Sequence, residues 1–280
     1  MKVARKGAES KARRVMFLLS PAKAMDLERT HKDNLPASLP MLQIKQEQLL
    51  NLMKTKTKSE LKTMMKLSDK LADLNYQRYR DFENLERRPA AICFDGQAYQ
   101  GLRAYELPKE RLLWLHDNLR VLSGLYGVIR PLDEIKPYRL EMGTKVATDN
   151  GRDLYQFWGD DITDTILEDL AEGDALVNVA SQEYAKAVNF SKCRSAGIDL
   201  YEMKFPGPAV FAKKARGSIV RFACENGMKD PQELRSWCGD GEYSFVDESF
   251  NDKTHFTVFT FNRDKAAADA LASKKKKQRV

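Results

Sequence analysis

Residues 15–26 read VMFLLSPAKAMD, and this stretch decides the fold. Five consecutive apolar residues, Val15 to Leu19, are too few for a helix with a polar face; they suit a strand buried on both faces of a sheet. Ser20-Pro21 ends the run and a polar, lysine-bearing turn follows. In an open α/β sheet ligands gather at the carboxyl ends of strands, so the Ser20 hydroxyl and the Lys23 ammonium are candidates to hold a phosphate or carboxylate. The alternative is an ordinary capped turn, with Ser20 as N-cap and Pro21 at the first helical position.

Working outward, residues 58–82 keep Leu61, Met64, Met65, Leu71 and Leu74 at helical spacing, with a break expected near Ser68-Asp69. Residues 90–94 read as a strand closed by the turn pair Asp95-Gly96. Residues 107–122 read as a helix that starts at Pro108 and buries Leu112, Leu115, Leu119 and Leu122. Residues 153–170 carry another apolar stripe opposite acidic residues and read as a helix, while 176–179, 198–205 and 256–261 read as strands. Helices and strands alternate, so the expected class is α/β or mixed α+β. No Gly/Ser linker, low-complexity block or repeat divides the body, which favours one domain.

The chain has 280 residues, 42% apolar and 9% aromatic, enough to bury a sizeable core. No apolar run approaches the roughly 18 residues of a membrane span, and the basic N-terminal stretch has no apolar segment before Val15, so it does not read as a secretory signal. A soluble, cytoplasmic protein that does not enter membranes is expected, with a nuclear address left open by the basic ends. Cys93, Cys193, Cys224 and Cys238 form no CxxC, and only His31, His116 and His255 could join them. Neither a metal site nor a cofactor is expected, and the thiols should be reduced and buried.

The net charge of +7 is located mostly at the ends. Residues 1–14 hold six Lys/Arg and one Glu, and 273–280 hold four Lys and one Arg, which leaves a mildly acidic body. The expected division is a basic disordered tail over 1–14, a single domain over 15–264 and a lysine-rich tail over 265–280. Global basicity is therefore no argument for a basic cleft.

Three further segments carry candidate chemistry. Residues 209–217 read AVFAKKARG; a helix starting near Ala212 would crowd Lys213, Lys214 and Arg216 into its first turn, each opposing the macrodipole by roughly 0.3–1 kcal/mol. A bound anion would reverse that sign, whereas a different helix start or nearby acids would remove the problem. Residues 118–133 read NLRVLSGLYGVIRPLD, a helix running into Ser123, Gly124, Leu125, Tyr126 and Gly127. Glycines there can turn backbone amides toward a DNA phosphate, as in helix-hairpin-helix modules, although these two lie three apart instead of two. A helix C-cap explains Gly124 equally well. Finally, Arg139 and Glu141 in PYRLEMG, and Asn178, Ser181 and Glu183 in NVASQEY, place polar groups beside aromatics and at a strand end; such aromatics are more often core, and Asn178 and Ser181 can equally cap a helix.

Together, SPAKAMD at 20–26, LSDKLADLN at 67–75, LSGLYGVIRPLDEIKPYRLEMG at 122–143, DLYQFWGD at 153–160, NVASQEY at 178–184 and FAKKARG at 211–217 resemble the YaaA peroxide-stress protein family. The resemblance runs from about Val15 to about Phe261. Ala24 stands where the family has Thr and Gln182 where it often has Asp, removing a hydroxyl from the first loop and a carboxylate from the later one. The resemblance implies resistance to hydrogen peroxide, lowered intracellular iron and binding to DNA. It also implies a compact single α/β domain of unusual topology with a positively charged cleft and a helix-hairpin-helix element. The implied hairpin falls on Ser123–Gly127, and Arg130, Arg139, Lys213, Lys214 and Arg216 join Ser20 and Lys23 as cleft candidates from charge and motif membership.

Two functions compete. The first is sequence-nonspecific binding of double-stranded DNA through its phosphates during peroxide stress. The second is an enzyme acting on a nucleotide or nucleic-acid base, with Lys23, Lys213, Glu141 and Glu183 as nucleophile or acid/base groups. In helix-hairpin-helix glycosylases a catalytic Asp follows the hairpin, a role open to Asp149 or Asp153; the simpler reading makes Asp153 a helix cap. Peroxide reduction would want an activated thiolate, and no cysteine lies in these motifs. Iron storage would want a carboxylate-plus-histidine helix motif, which the sequence lacks.

Overall fold

Val15, Met16, Phe17, Leu18 and Leu19 are all at most 1% exposed, as expected of a strand with neighbours on both edges and both faces. In the computed structural model, which describes residues 13–149 and 151–269, this strand, β1 (Val15–Leu19), is followed by β2 (Ala24–Met25), α1 (Gln43–Thr55), α2 (Lys58–Met65) and α3 (Asp69–Arg80). Next come β3 (Arg88–Pro89), α4 (Ala90–Cys93), β4 (Phe94–Asp95), α5 (Gln97–Leu102), α6 (Lys109–Asn118), β5 (Leu119–Ser123), β6 (Gly127–Ile129) and β7 (Glu134–Ile135). The remainder holds α7 (Leu154–Trp158), α8 (Asp161–Leu167), β8 (Ala175–Asn178), α9 (Gln182–Ala185), α10 (Phe190–Ser195), β9 (Asp199–Lys204), α11 (Ala209–Asn226), β10 (Tyr243–Asn251) and β11 (Phe256–Arg263).

Seven strands form one sheet in the order β10-β11-β9-β8-β1-β5-β6. The five inner strands are parallel, with Phe17 opposite Leu119 on one side and Val177 on the other. The two edge strands, β10 and β6, run antiparallel to their neighbours. After β1 the chain leaves toward β5, whereas after β8 it leaves toward β9, on the opposite side. Between the carboxyl ends of β1 and β8 the connections therefore diverge, and such a switch point opens a crevice.

The mixed α/β class follows the sequence reading, and so does the break in the 58–82 helix. Thr57 caps α2 with a reciprocal Glu60 contact, Lys66 turns left-handed at φ 51°, and Ser68 caps α3. Three segments differ from expectation. The 107–122 helix ends at Asn118, and Leu119–Ser123 is a strand whose five residues are all buried. The leucine spacing continues across the boundary only because a doubly covered strand is apolar at every position. Residues 90–94 are a helical turn, Ala90–Cys93, with only Phe94 and Asp95 pairing to β2. The 153–170 helix is split by Gly159 at φ +52° into α7 and α8.

The proposed tail boundaries also shift. The Arg13 side chain donates to Asp199 at 2.5 Å, and Arg14 donates from its backbone to Asp174 and from its guanidinium to the Asp169 carbonyl. Both therefore belong to the body. At the other end Ala268 is 3% exposed and its amide donates to the Asp264 carbonyl, so the body continues past residue 264. Residues 1–12 and 270–280 lie outside the described residues. No helix among the described residues is long and apolar enough to cross a membrane.

Candidate functional site

The switch point holds a cavity of about 410 Å³, within the usual range for small organic ligands. The loop after β1 supplies Ser20 and Lys23, the loop after β8 supplies Ser181, the short helix α9 supplies Glu183, and α11 supplies Lys213 and Arg216. The start of α5 completes the lining, with Gln97, Ala98 and Tyr99 following Gly96.

Backbone geometry ties these parts together. The Ser181 amide donates to Ser20 Oγ at 2.9 Å, which joins the two strand-end loops directly. Tyr99 donates its hydroxyl to the Ser20 carbonyl at 3.2 Å, fixing α5 to the same loop. Arg216 Nη1 donates to the Val179 carbonyl at 3.1 Å, just past the end of β8. Two glycines let α5 and α11 cross at backbone distance: a β-carbon on Gly217 would lie 1.6 Å from the Ala98 carbonyl oxygen, and one on Gly101 would lie 2.1 Å from that of Lys214.

Charge in the cavity is mixed, and its pairing decides which groups are available. Lys23 pairs with Glu141 at 2.9 Å, and Glu141 also receives Arg139 at 3.2 Å. Glu183 Oε1 accepts the Gly143 amide at 2.9 Å, and Asp95 is turned to Arg29 at 3.4 Å. Lys213, Lys214 and Arg216 have no carboxylate at ion-pair distance among the described residues. Burial pushes the Arg216 pKa down, because water that would solvate the guanidinium is displaced, with Glu202 acting weakly in the other direction. Tyr184, on the wall, is pushed above its ordinary value by burial and then by the carboxylates of Glu183 and Glu141.

A model of the family described as peroxide stress protein YaaA matches residues 15–249. The chain belongs to the YaaA peroxide stress protein family. A UPF0246 protein of Marinomonas sp. strain MWYL1 is 44% identical over 230 residues, covering 79% of this chain and 88% of that protein. Another, from Albidiferax ferrireducens, is 39% identical over 242 residues, covering 82% and 93%. A third, from Psychrobacter sp. strain PRwf-1, is 38% identical over 276 residues, covering 90% and 99%.

Within this YaaA-family fold the sequence candidates separate into two groups. Ser20, Lys23, Glu183, Lys213 and Arg216 meet in the cavity, with Glu141 and Arg139 joined to it through Lys23 and Lys214 exposed on the same helix. The rest lie elsewhere. Ser123, Gly124, Leu125, Tyr126 and Gly127 join two antiparallel strands, not two helices, and all five are buried. Leu140 closes over Gly124, where a β-carbon would meet its carbonyl oxygen at 2.3 Å, and Trp158 Nε1 donates to the Gly124 carbonyl at 3.1 Å. A phosphate has no access to such amides, so the expected helix-hairpin-helix is a sheet-edge hairpin. Arg130 follows β6, which runs antiparallel to β5, so it sits at the far end of the sheet and contacts Asp133 at 3.3 Å.

Asp153 caps α7, accepting the Gln156 amide at 2.9 Å, which answers its residue type without catalysis. Asp149 lies between the bridged residues Thr148 and Gly151 and lines none of the cavity. The crowded first turn is also revised: α11 begins at Ala209 behind Pro208 and has no basic residue in its first turn. Lys213, Lys214 and Arg216 then lie beyond that turn, where the macrodipole penalty has faded.

Sequence reasoning missed the α5 wall. The cue was present, since Asp95-Gly96 ends an apolar run as Ser20-Pro21 does. Cys93, Cys193 and Cys224 are buried, with their thiols pushed up to about 12, about 11 and about 12 by desolvation; Cys238 is exposed, against the expectation that all four are enclosed.

Proposed function

We propose that this peroxide stress family member binds double-stranded DNA through backbone phosphates at the mouth of the switch-point cavity. The observation that carries the reading is the set of cations on α11. Lys213 and Lys214 are exposed, Arg216 lies in the cavity wall, and none is neutralised by a carboxylate at ion-pair distance among the described residues. Lys23, from the loop after β1, lines the same cavity and is tethered through Glu141. Lysine and arginine contacts to phosphate carry no sequence information, so the binding is nonspecific and salt-dependent. The buried 123–127 hairpin takes no part in it.

The test is a duplex titration from low to physiological salt, with the full chain and with residues 1–12 and 270–280 removed. Binding by the trimmed chain with a steep salt slope supports the reading. Lys213→Glu with Lys214→Glu should weaken binding at least tenfold and flatten the slope by about two counterions. Binding that vanishes with the tails, or a slope untouched by the double substitution, would remove this surface from the interface.

A second reading makes the cavity catalytic on a nucleotide or nucleic-acid base, and one observation favours it: Glu183 lines the cavity with its side chain held by the Gly143 amide. Release of base or phosphate that Glu183→Gln abolishes, with binding intact, would establish turnover.

A further inference from the structure

We infer that the cavity between β1 and β8 holds a single nucleobase bearing a phosphate, either a free mononucleotide or one nucleotide everted from a strand. This deepens the nucleic-acid reading and rests on it for the ligand class.

Shape comes first. The cavity is lined by the small residues Ala22, Gly96, Ala98, Ala209 and Ala212 and by the rings of Tyr99 and Tyr184. The α5–α11 crossing through Gly101 and Gly217 fixes these two helices against each other, because the backbones already touch there. A rigid gap lined by methyl groups suits a flat apolar body and disfavours a long flexible chain, which would forfeit rotamer freedom inside it. The volume of about 410 Å³ leaves no room for a duplex, whose bases are reached only when unstacked.

The polar groups are of two kinds. Ser20 and Ser181 sit together at the strand ends, their hydroxyls 3.3 Å apart, and Gln97 faces the same space. These neutral donors and acceptors match the edge of a base. The cations sit on α11, where Lys213 and Arg216 are three residues apart and so share a helix face. Arg216 spends Nη1 on the Val179 carbonyl and has no carboxylate counterion at ion-pair distance among the described residues. A partly desolvated guanidinium without an ion-pair partner costs stability unless an anion arrives, and the Nε and Nη2 hydrogens outside the Val179 bond suit a phosphate. Glu202 acts on it only from beyond ion-pair distance, Glu183 is bonded to the Gly143 amide and Asp95 faces Arg29. A cavity that combines an apolar lining, neutral hydrogen-bonding groups and two cations matches a nucleotide better than a bare anion or an apolar ligand.

The test uses the full chain and calorimetric titration with dAMP, dCMP, dGMP and dTMP, the corresponding nucleosides, and inorganic phosphate. At least one mononucleotide should bind, with its nucleoside and inorganic phosphate each at least tenfold weaker. On the unaltered protein, that mononucleotide should slow acylation of Lys213 by an amine reagent while the exposed Lys253 reacts as before. Ala209→Leu, at an exposed helical position where leucine is well tolerated, should block the slot and weaken mononucleotide binding at least tenfold while duplex binding at the rim persists. A duplex carrying one extrahelical base separates the two sources: tighter binding than to matched duplex assigns an everted nucleotide, and equal binding assigns the free one. Mononucleotides that fail to bind while duplex DNA still binds would overturn the inference alone; failure of both would overturn the rim reading as well. Mononucleotide binding unchanged by Ala209→Leu, without protection of Lys213, would place the ligand elsewhere and overturn it too.

Discussion

Gly217 on α11 faces the carbonyl of Ala98 on α5 so closely that a β-carbon at Gly217 would lie 1.6 Å from that oxygen. Both helices line the cavity, so this contact sets its width. Gly217→Ala gains about 1 kcal/mol of helix propensity but must push the helices apart, and overpacking a fixed contact costs about 1–3 kcal/mol or more. Because the contact is backbone on backbone the cost lies at the upper end, about 3 kcal/mol, and the expected result is a net loss of about 2 kcal/mol in urea unfolding, together with weaker ligand binding. An unchanged midpoint would mean the two helices are not in backbone contact.

Arg120 is 2% exposed and extends from the strand β5 to Asp169. Its Nη1 also donates to the carbonyls of His116 and Leu119, at 2.9 and 2.8 Å. Asp169→Asn would leave this guanidinium enclosed without its counter-charge. Breaking a buried pair costs about 3–5 kcal/mol, reduced here because the Asp169 side chain is 34% exposed, so a loss of about 2–3 kcal/mol is expected. Arg120→Met should cost less, since it removes the buried charge along with the pair. Chemical denaturation of both variants checks the order, and the reverse order would show that the charge is well solvated in the folded state.

The thiols give a prediction about oxidation. Desolvation holds Cys93, Cys193 and Cys224 protonated at neutral pH, with values pushed up to about 12, 11 and 12, and thiolate is the reactive form. Cys238 is exposed. A thiol reagent at pH 8 should modify one cysteine quickly, with mass spectrometry placing the label on Cys238, and the other three only on unfolding. Fast labelling of Cys93 or Cys224 would reveal an opening motion absent from this structure and would reinstate a thiol-based reaction with peroxide.

Much of this architecture was readable because burial on both faces writes itself into sequence. Val15–Leu19 is uniformly apolar and 176–179 is apolar but for Asn178, and each is followed by polar residues, so the two loops that meet at Ser20 and Ser181 could be found separately. Their adjacency could not, since it depends on β8 pairing with β1 across 160 residues of chain. The same signal misled at Leu119 and Leu122, where a doubly buried strand continued the leucine spacing of the helix before it. The hairpin at Gly124 and Gly127 carried glycine for a different reason from phosphate access: Leu140 and Trp158 press against it. At α11 the cue that mattered was Pro208, which starts the helix before the basic cluster.

His116 ties the helix α6 to the turn after β6, because its Nδ1 accepts the Leu132 amide at 3.3 Å. That contact requires a neutral ring nitrogen. Burial first, and the Arg130 guanidinium second, push its pKa below the ordinary value of 6.5. The folded state then binds the proton less readily than the unfolded state, so stability is retained above about 6.5 and falls as the pH drops from there through the folded-state value. Between pH 7.5 and 5 the wild-type chain should lose more stability than His116→Gln, which cannot titrate and places an amide near the same site. The comparison is made by urea unfolding at each pH, with the carboxylates common to both chains cancelling in the difference. Parallel pH profiles for the two proteins would mean that His116 keeps its ordinary affinity for the proton and that the Leu132 contact does not constrain it.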